Sequence, residues 1–131
     1  MKSKLLVLAT SLSALVALPA MAESVTYTVD PDHAQIHFTY SHMGFSNMKG
    51  LIGVSEGTLT YDPEKPAKSS IEITAQVDTI SVGVAALDDH LKAADFLDVA
   101  SFPTATFKST KVEPAGEGKL TLTGDLTIRD K

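Results

Sequence analysis

LTLTGDLTIRDK, residues 120–131, alternates apolar and polar side chains along most of its length. Leu120, Leu122, Leu126 and Ile128 fall on one side, and threonines and charges fall on the other. A period of two is the mark of a β-strand with one face against a core. Every strand must find partners for its backbone N–H and C=O groups. Within these 131 residues the candidate partners lie upstream.

The upstream chain supplies them. Thr104 to Val112, centred on Phe107, is another strand, and Pro114-Ala115-Gly116-Glu117-Gly118 reads as the hairpin loop between it and the last strand, Lys119 to Arg129. Ile71, Ile73, Ala75 and Val77 alternate with Glu72, Thr74, Gln76 and Asp78. Met48 to Tyr61 is a long strand whose Gly50, Gly53 and Gly57 predict bulges or a bend. Ile36, Phe38, Tyr40 and His42 share one side of the strand before it, and Gly44 to Asn47 reads as the turn between the two. Val25, Tyr27 and Val29 start the pattern, with turns at Asp30-Pro31-Asp32 and at residues 62–66. The inward side also carries small residues, among them Gly53, Ala75 and Gly124. These either leave room inside a barrel or fit close packing against a large neighbour.

One segment departs from this period. In ALDDHLKAADFLDVASFP, residues 86–103, Leu87, Leu91 and Ala94 have helical spacing. Asp88 and Asp89 come early and Lys92 late, the order a helix dipole favours. The expectation is an all-β chain with one short helix crossing an open end of a sheet or barrel.

Residues 1–22 stand apart. Lys2 and Lys4 precede an uncharged apolar run from Leu5 to Leu18, then Pro19 and Ala20-Met21-Ala22. That is a secretory signal peptide with an expected cut after Ala22, which predicts a periplasmic protein. Of 131 residues, 109 remain as residues 23–131, enough for one domain. Removing two of the 11 basic residues leaves nine against 16 acidic ones, a net charge of −7. That balance argues against nucleic-acid binding and against a polybasic membrane contact. With no cysteine there is no disulfide framework, lipoprotein anchor or haem-attachment motif.

Candidates for chemistry are sparse. His33 and His37 are expected on one face of a strand and His42 on the other, which splits them as metal ligands. Asp88-Asp89-His90 looks like an acid–base group, but helix neighbours point different ways. A solvated first turn, with His90 tucked against the barrel, is the plainer reading. No nucleophile elbow, phosphate loop or paired-carboxylate spacing occurs. No catalytic residue, metal or cofactor is expected.

Three stretches together resemble the YceI-like family, also called the polyisoprenoid-binding family: YTVDPDHAQIHFTYSHMGFSNMKGLIGVSEGTLTYD, DDHLKAADFLDVASFPTATFKST and LTLTGDLTI. His33, the Phe38-x-x-x-His42 pair, Gly50 and Gly57 match its opening pattern. His90-Leu91, Asp95-Phe96, Phe102-Pro103, Thr106-Phe107 and Ser109-Thr110 match its centre, and Gly124 to Ile128 match the next strand. The resemblance covers essentially all of residues 23–131. It implies an extended antiparallel lipocalin-like β-barrel of eight strands whose apolar tunnel holds an isoprenoid chain, such as a polyprenyl phosphate or a quinone tail. In that family further strands follow and close the barrel, so this barrel is expected to be incomplete at its C-terminal side. Two departures stand out: Leu87 replaces a basic residue of some relatives, and Ser55 an aromatic of many.

The resemblance, with strand parity, puts the ligand against Ile36, Phe38, Tyr40, Ile52, Ile71, Ile73, Phe107, Leu120, Leu122 and Leu126, joined by His42 and His90 of its motifs. It implies an isoprenoid lipid as partner, with transient membrane contact. An incomplete barrel would expose two strand edges, which predicts reduced stability and homodimer formation. Two other readings compete. One is an enzyme using His90 and Asp88. The other is a periplasmic interaction or stress-related protein with a closed core and no lipid, recruiting partners through its strand edges.

Overall fold

A computed structural model describes residues 23–131. The expected signal peptide and its cut after Ala22 lie outside the described residues. Six antiparallel strands form one sheet: β1 (Val25–Thr28), β2 (Gln35–His42), β3 (Ser46–Tyr61), β4 (Ser70–Ser81), β5 (Thr104–Pro114) and β6 (Leu120–Thr127). One helix, α1 (Ala85–Lys92), lies between β4 and β5.

The sheet order is β1-β3-β4-β5-β6, with β2 also on β3. This works because β3 is 16 residues long. β2 pairs with its first half, from His42↔Ser46 to Gln35↔Gly53, and β1 with its end, from Val25↔Tyr61 to Thr28↔Thr58. Between β1 and β2 the Asp30 carboxylate accepts from the Asp32 N–H at 3.1 Å and from His33 Nδ1 at 2.7 Å. His33 therefore belongs to a turn and shares no strand face with His37.

The β3 glycines do not all act as expected. Gly50 and Gly57 stay in register, opposite Phe38 and Ile73. The register shifts fall between Leu51 and Gly53 and between Val54 and Glu56. Ser55 is the extra residue of the second shift; its hydroxyl donates to Thr74 O at 3.2 Å and accepts from Gln76 Nε2 at 3.1 Å. It moves the inward positions of β3 from Ile52 and Val54 to Gly57 and Leu59. Gly53 faces outward, so it opens no room inside.

β4 runs three residues past the expected end at Asp78 because Thr79 stitches a kink. Its hydroxyl donates to Gln76 O at 2.6 Å and accepts from Gly53 N–H at 2.8 Å. Pairing on β4 advances five residues, from Gln76 to Ser81, while β3 advances only two, from Gly53 to Leu51. Kinks and bulges of this kind curl a sheet. The last strand is shorter than the pattern suggested: after Thr127 the backbone turns, with positive φ of 52° and 56° at Arg129 and Asp130.

The expected inward side of β6 is correct. Leu126 faces Phe107, Gly124 faces Ser109, and after a shift in β5 Leu122 faces Val112 and Leu120 faces Pro114. Among the described residues β6 pairs only with β5, and β1 and β2 only with β3, so the sheet does not close. The buried core is made of Val54, Ala75, Val77, Ile80, Val82 and Val112, and no large side chain is fully buried. On the inner face of β6, Leu122 and Leu126 stay 42% and 60% exposed.

Candidate functional site

The inner face carries two open apolar cavities that share lining residues. The first, about 460 Å³, is lined by Phe38, Tyr40, His42, Ile80, Leu87, Leu91, Phe96 and Leu97. The second, about 400 Å³, is bordered by Ile36, Ile52, Ala75, Ala105, Leu126 and Ile128, and shares Phe38, Ile80 and Leu97 with the first. Ile36 on β2 and Leu126 on β6 border one space although three strands separate theirs. In a flat sheet they would stand roughly 19 Å apart, at about 4.8 Å per strand. The curl brings them together.

The helical connection roofs the first cavity. Leu87 and Leu91 do face inward from α1, as their spacing predicts. Ala94 does not continue the helix, which ends at Lys92, and it is exposed. Instead the chain turns back, with Leu97 N–H bonded to Leu91 O at 3.1 Å and Val99 N–H to Lys92 O at 3.1 Å. This fold-back drives Leu97 between the two cavities. Asp88 is not a solvated first-turn residue. It is half-buried, and it accepts from Val82 N–H at 2.6 Å and from the Ser81 hydroxyl at 2.9 Å, tying α1 to the end of β4. Arg129 holds the other side, donating to the Phe96 carbonyl with its guanidinium 5.7 Å from the centre of the Phe102 ring.

Of the twelve ligand-contacting residues expected from sequence, six border this space: Ile36, Phe38, Tyr40, His42, Ile52 and Leu126. Ile71, Ile73, Phe107, Leu120 and Leu122 share the inner face through the strand registers but are not part of either lining. Parity assigns a face; it does not say how far along a strand a residue lies. His90 is off the lining too. It is exposed, its ring packed on Phe96 at 4.6 Å between centroids, so it is not tucked against the barrel. Its supposed partner Asp88 spends both carboxylate oxygens on Ser81 and Val82, and the two do not form an acid–base pair.

Ile80, Leu97, Ala105 and Ile128 were not proposed from sequence. Ile80 was hidden by the kink at Thr79, which resets the alternation of β4. Ile128 was legible in the alternation of the last strand. Leu97 needed the fold-back after α1. The lining carries two polar side chains, Tyr40 and His42. The Tyr40 hydroxyl is buried and makes no hydrogen bond among the described residues. Among the described residues no group of three His, Cys, Asp or Glu converges as a metal site would require.

The fold is similar to that of solved structures over about three quarters or more of this chain. BcnA of Burkholderia cenocepacia superimposes with a TM-score of 0.69 and 30% identity over 76% of this chain and 62% of its own. A mutant CJ YceI protein solved with a monobromobimane guest gives 0.60 and 29%, over 80% of this chain and 61% of its own. Among curated sequences, a UPF0312 protein of Vibrio vulnificus is 38% identical over 93% of this chain. One from Vibrio cholerae is 37% identical over 92%. The chain spans 65% of the length of the Vibrio cholerae relative and 66% of the Vibrio vulnificus one. The family model described as the YceI-like domain matches residues 27–131, and the chain belongs to that family.

Proposed function

We propose that this is an exported lipid-binding protein that holds an isoprenoid chain in the joined apolar cavities, for carriage or storage in the periplasm. The observation that carries the proposal is the pair of cavities of about 460 and 400 Å³ meeting at Phe38, Ile80 and Leu97. Each lies within the range of small-molecule sites, roughly 300–1,000 Å³. An isoprenoid leaves a bilayer only where each CH₂ finds surroundings as apolar as the lipid, worth about 0.8 kcal/mol apiece. The second cavity has no polar side chain in its lining, which suits the tail. Tyr40 and His42 then take the polar end. Leu87, where some relatives were expected to carry a cation, faces the first cavity. It offers no charge to a phosphate and favours a neutral head group such as a quinone ring.

The competing reading, a closed core without lipid, leaves the apolar space bordered by Phe38, Ile80 and Leu97 without an occupant. An enzyme acting through His90 and Asp88 would need the two to meet, and they do not.

The test is native mass spectrometry of the protein purified from periplasm without delipidation. A compact species carrying an isoprenoid-sized mass is the expected result. A compact species with no adduct, and no uptake of added isoprenoid from detergent, would overturn the reading.

A further inference from the structure

The two most exposed large apolar residues of the described chain stand at one hairpin tip. Met43 is 79% exposed and Phe45 is 91% exposed, in the turn between β2 and β3. Turn geometry does not account for this choice of residues. Phe45 N–H bonds to His42 O at 3.0 Å, and the two residues between them have positive φ, 53° at Met43 and 77° at Gly44. Asn, Asp or Gly is the low-strain residue at such a position. A methionine there accepts backbone strain while its side chain touches little of its own protein.

Two further features say what the tip meets. No Asp, Glu, Lys or Arg occurs between Asp32 and Lys49, in a chain that is 21% charged. The whole of β2, the turn and the start of β3 are thus free of formal charge, apart from any held by histidine. The tip also adjoins the first cavity, since His42, the residue before Met43, is in its lining. The occupant is therefore neutral, soft enough to receive a protruding tip, and placed at the mouth of an apolar channel. Met and Phe on a narrow uncharged protrusion suit the interfacial zone of a bilayer. The net charge of −7 over residues 23–131 opposes an anionic membrane, so the surface selected is zwitterionic.

We propose that the β2–β3 tip inserts Met43 and Phe45 into the surface of a zwitterionic phospholipid bilayer and so sets the cavity mouth against the lipid. This rests on the isoprenoid-carrier reading for its purpose, not for its test.

The experiment is co-sedimentation of the processed chain, beginning at Glu23, with phosphatidylcholine vesicles. It compares wild type, a Met43→Ser/Phe45→Ser double variant and Val25→Ser. Val25 is exposed but pairs with the far end of β3. Wild type and Val25→Ser are expected to partition alike, with little change on added salt. The double variant is expected to lose roughly tenfold or more of the partitioning, since two large apolar side chains no longer leave water. Phe45→Trp should give a blue-shifted emission on adding vesicles, which keeps the test valid if the double variant folds poorly. No wild-type binding, equal binding of the double variant, or an unshifted emission from the Phe45→Trp variant overturns the proposal. So does loss of self-association in place of vesicle binding, which would assign the tip to a second copy. Isoprenoid uptake from detergent micelles, measured in parallel, separates the two claims. Vesicle binding without uptake sinks the carrier reading alone, and uptake without vesicle binding sinks the docking tip alone.

Discussion

The Phe38 ring lies over the backbone of Gly50, its partner across the β2–β3 ladder. A methyl group on Gly50 would sit 2.7 Å from Cε1 of that ring and nearer still to Cζ. Gly50 is buried as a result, and Phe38 is held where the two cavities meet. Gly50→Ala should push the ring into the channel. The expected cost is about 1–3 kcal/mol of stability, as for other overpacked sites, with weaker isoprenoid uptake. Denaturant midpoints and uptake of a fluorescent isoprenoid measure both. Adding Phe38→Ala should relieve part of the loss, so the two changes should not add.

Phe38 and Phe107 look equivalent by parity, yet they should fail differently. Phe38→Asp places a carboxylate on the wall of both cavities and should abolish uptake in a chain that still folds. Phe107 instead covers Gly124, where an added Cβ would lie 2.6 Å from its Cζ. Phe107 is half-buried, so Phe107→Ala should cost somewhat less than the roughly 3–5 kcal/mol of a fully buried phenylalanine and leave uptake largely intact at temperatures where the variant is folded. Uptake lost equally in both folded variants would show that the channel extends past Leu126.

Asp88→Ala strips the Val82 N–H and the Ser81 hydroxyl of their acceptor. The expected loss is about 1–3 kcal/mol. Hydrogen exchange should speed up at Val82 and through α1 first, because the helix has no side-chain cap of its own. Ligand release should accelerate as the roof loosens. Unchanged exchange at Val82 would mean that something else holds the helix.

Arg129→Lys keeps the charge and loses the planar guanidinium that reaches the Phe96 carbonyl and sits by the Phe102 ring. A loss of about 0.5–1 kcal/mol is expected, read as a lower Tm. A lysine variant as stable as wild type would show that charge alone suffices there.

Much of this was written locally. Alternation from Leu120 to Ile128 gave the inward face of β6, and the i, i+4 pair Leu87 and Leu91 gave the inward face of α1. Both survive folding because a strand or helix fixes the direction of each side chain relative to its neighbours. The signatures around His42, Phe96 and Gly124 also sufficed to place the chain in its family. Distances along the strands were not legible. Ile71, Ile73, Leu120 and Leu122 share the inner face but lie outside both cavity linings, while His90, assigned by motif, packs on Phe96.

The sequence by itself determined an antiparallel sheet with one apolar face and one short amphipathic helix, because periodicity acts between residues a few positions apart. Tertiary structure alone decided which apolar residues border a cavity. That choice depends on the bulge at Ser55 and the kink at Thr79, which reset alternation, and on the fold-back that carries Leu97 to the channel. It depends most on the curl that brings Ile36 and Leu126 to one space, a relation between strands that no local pattern encodes.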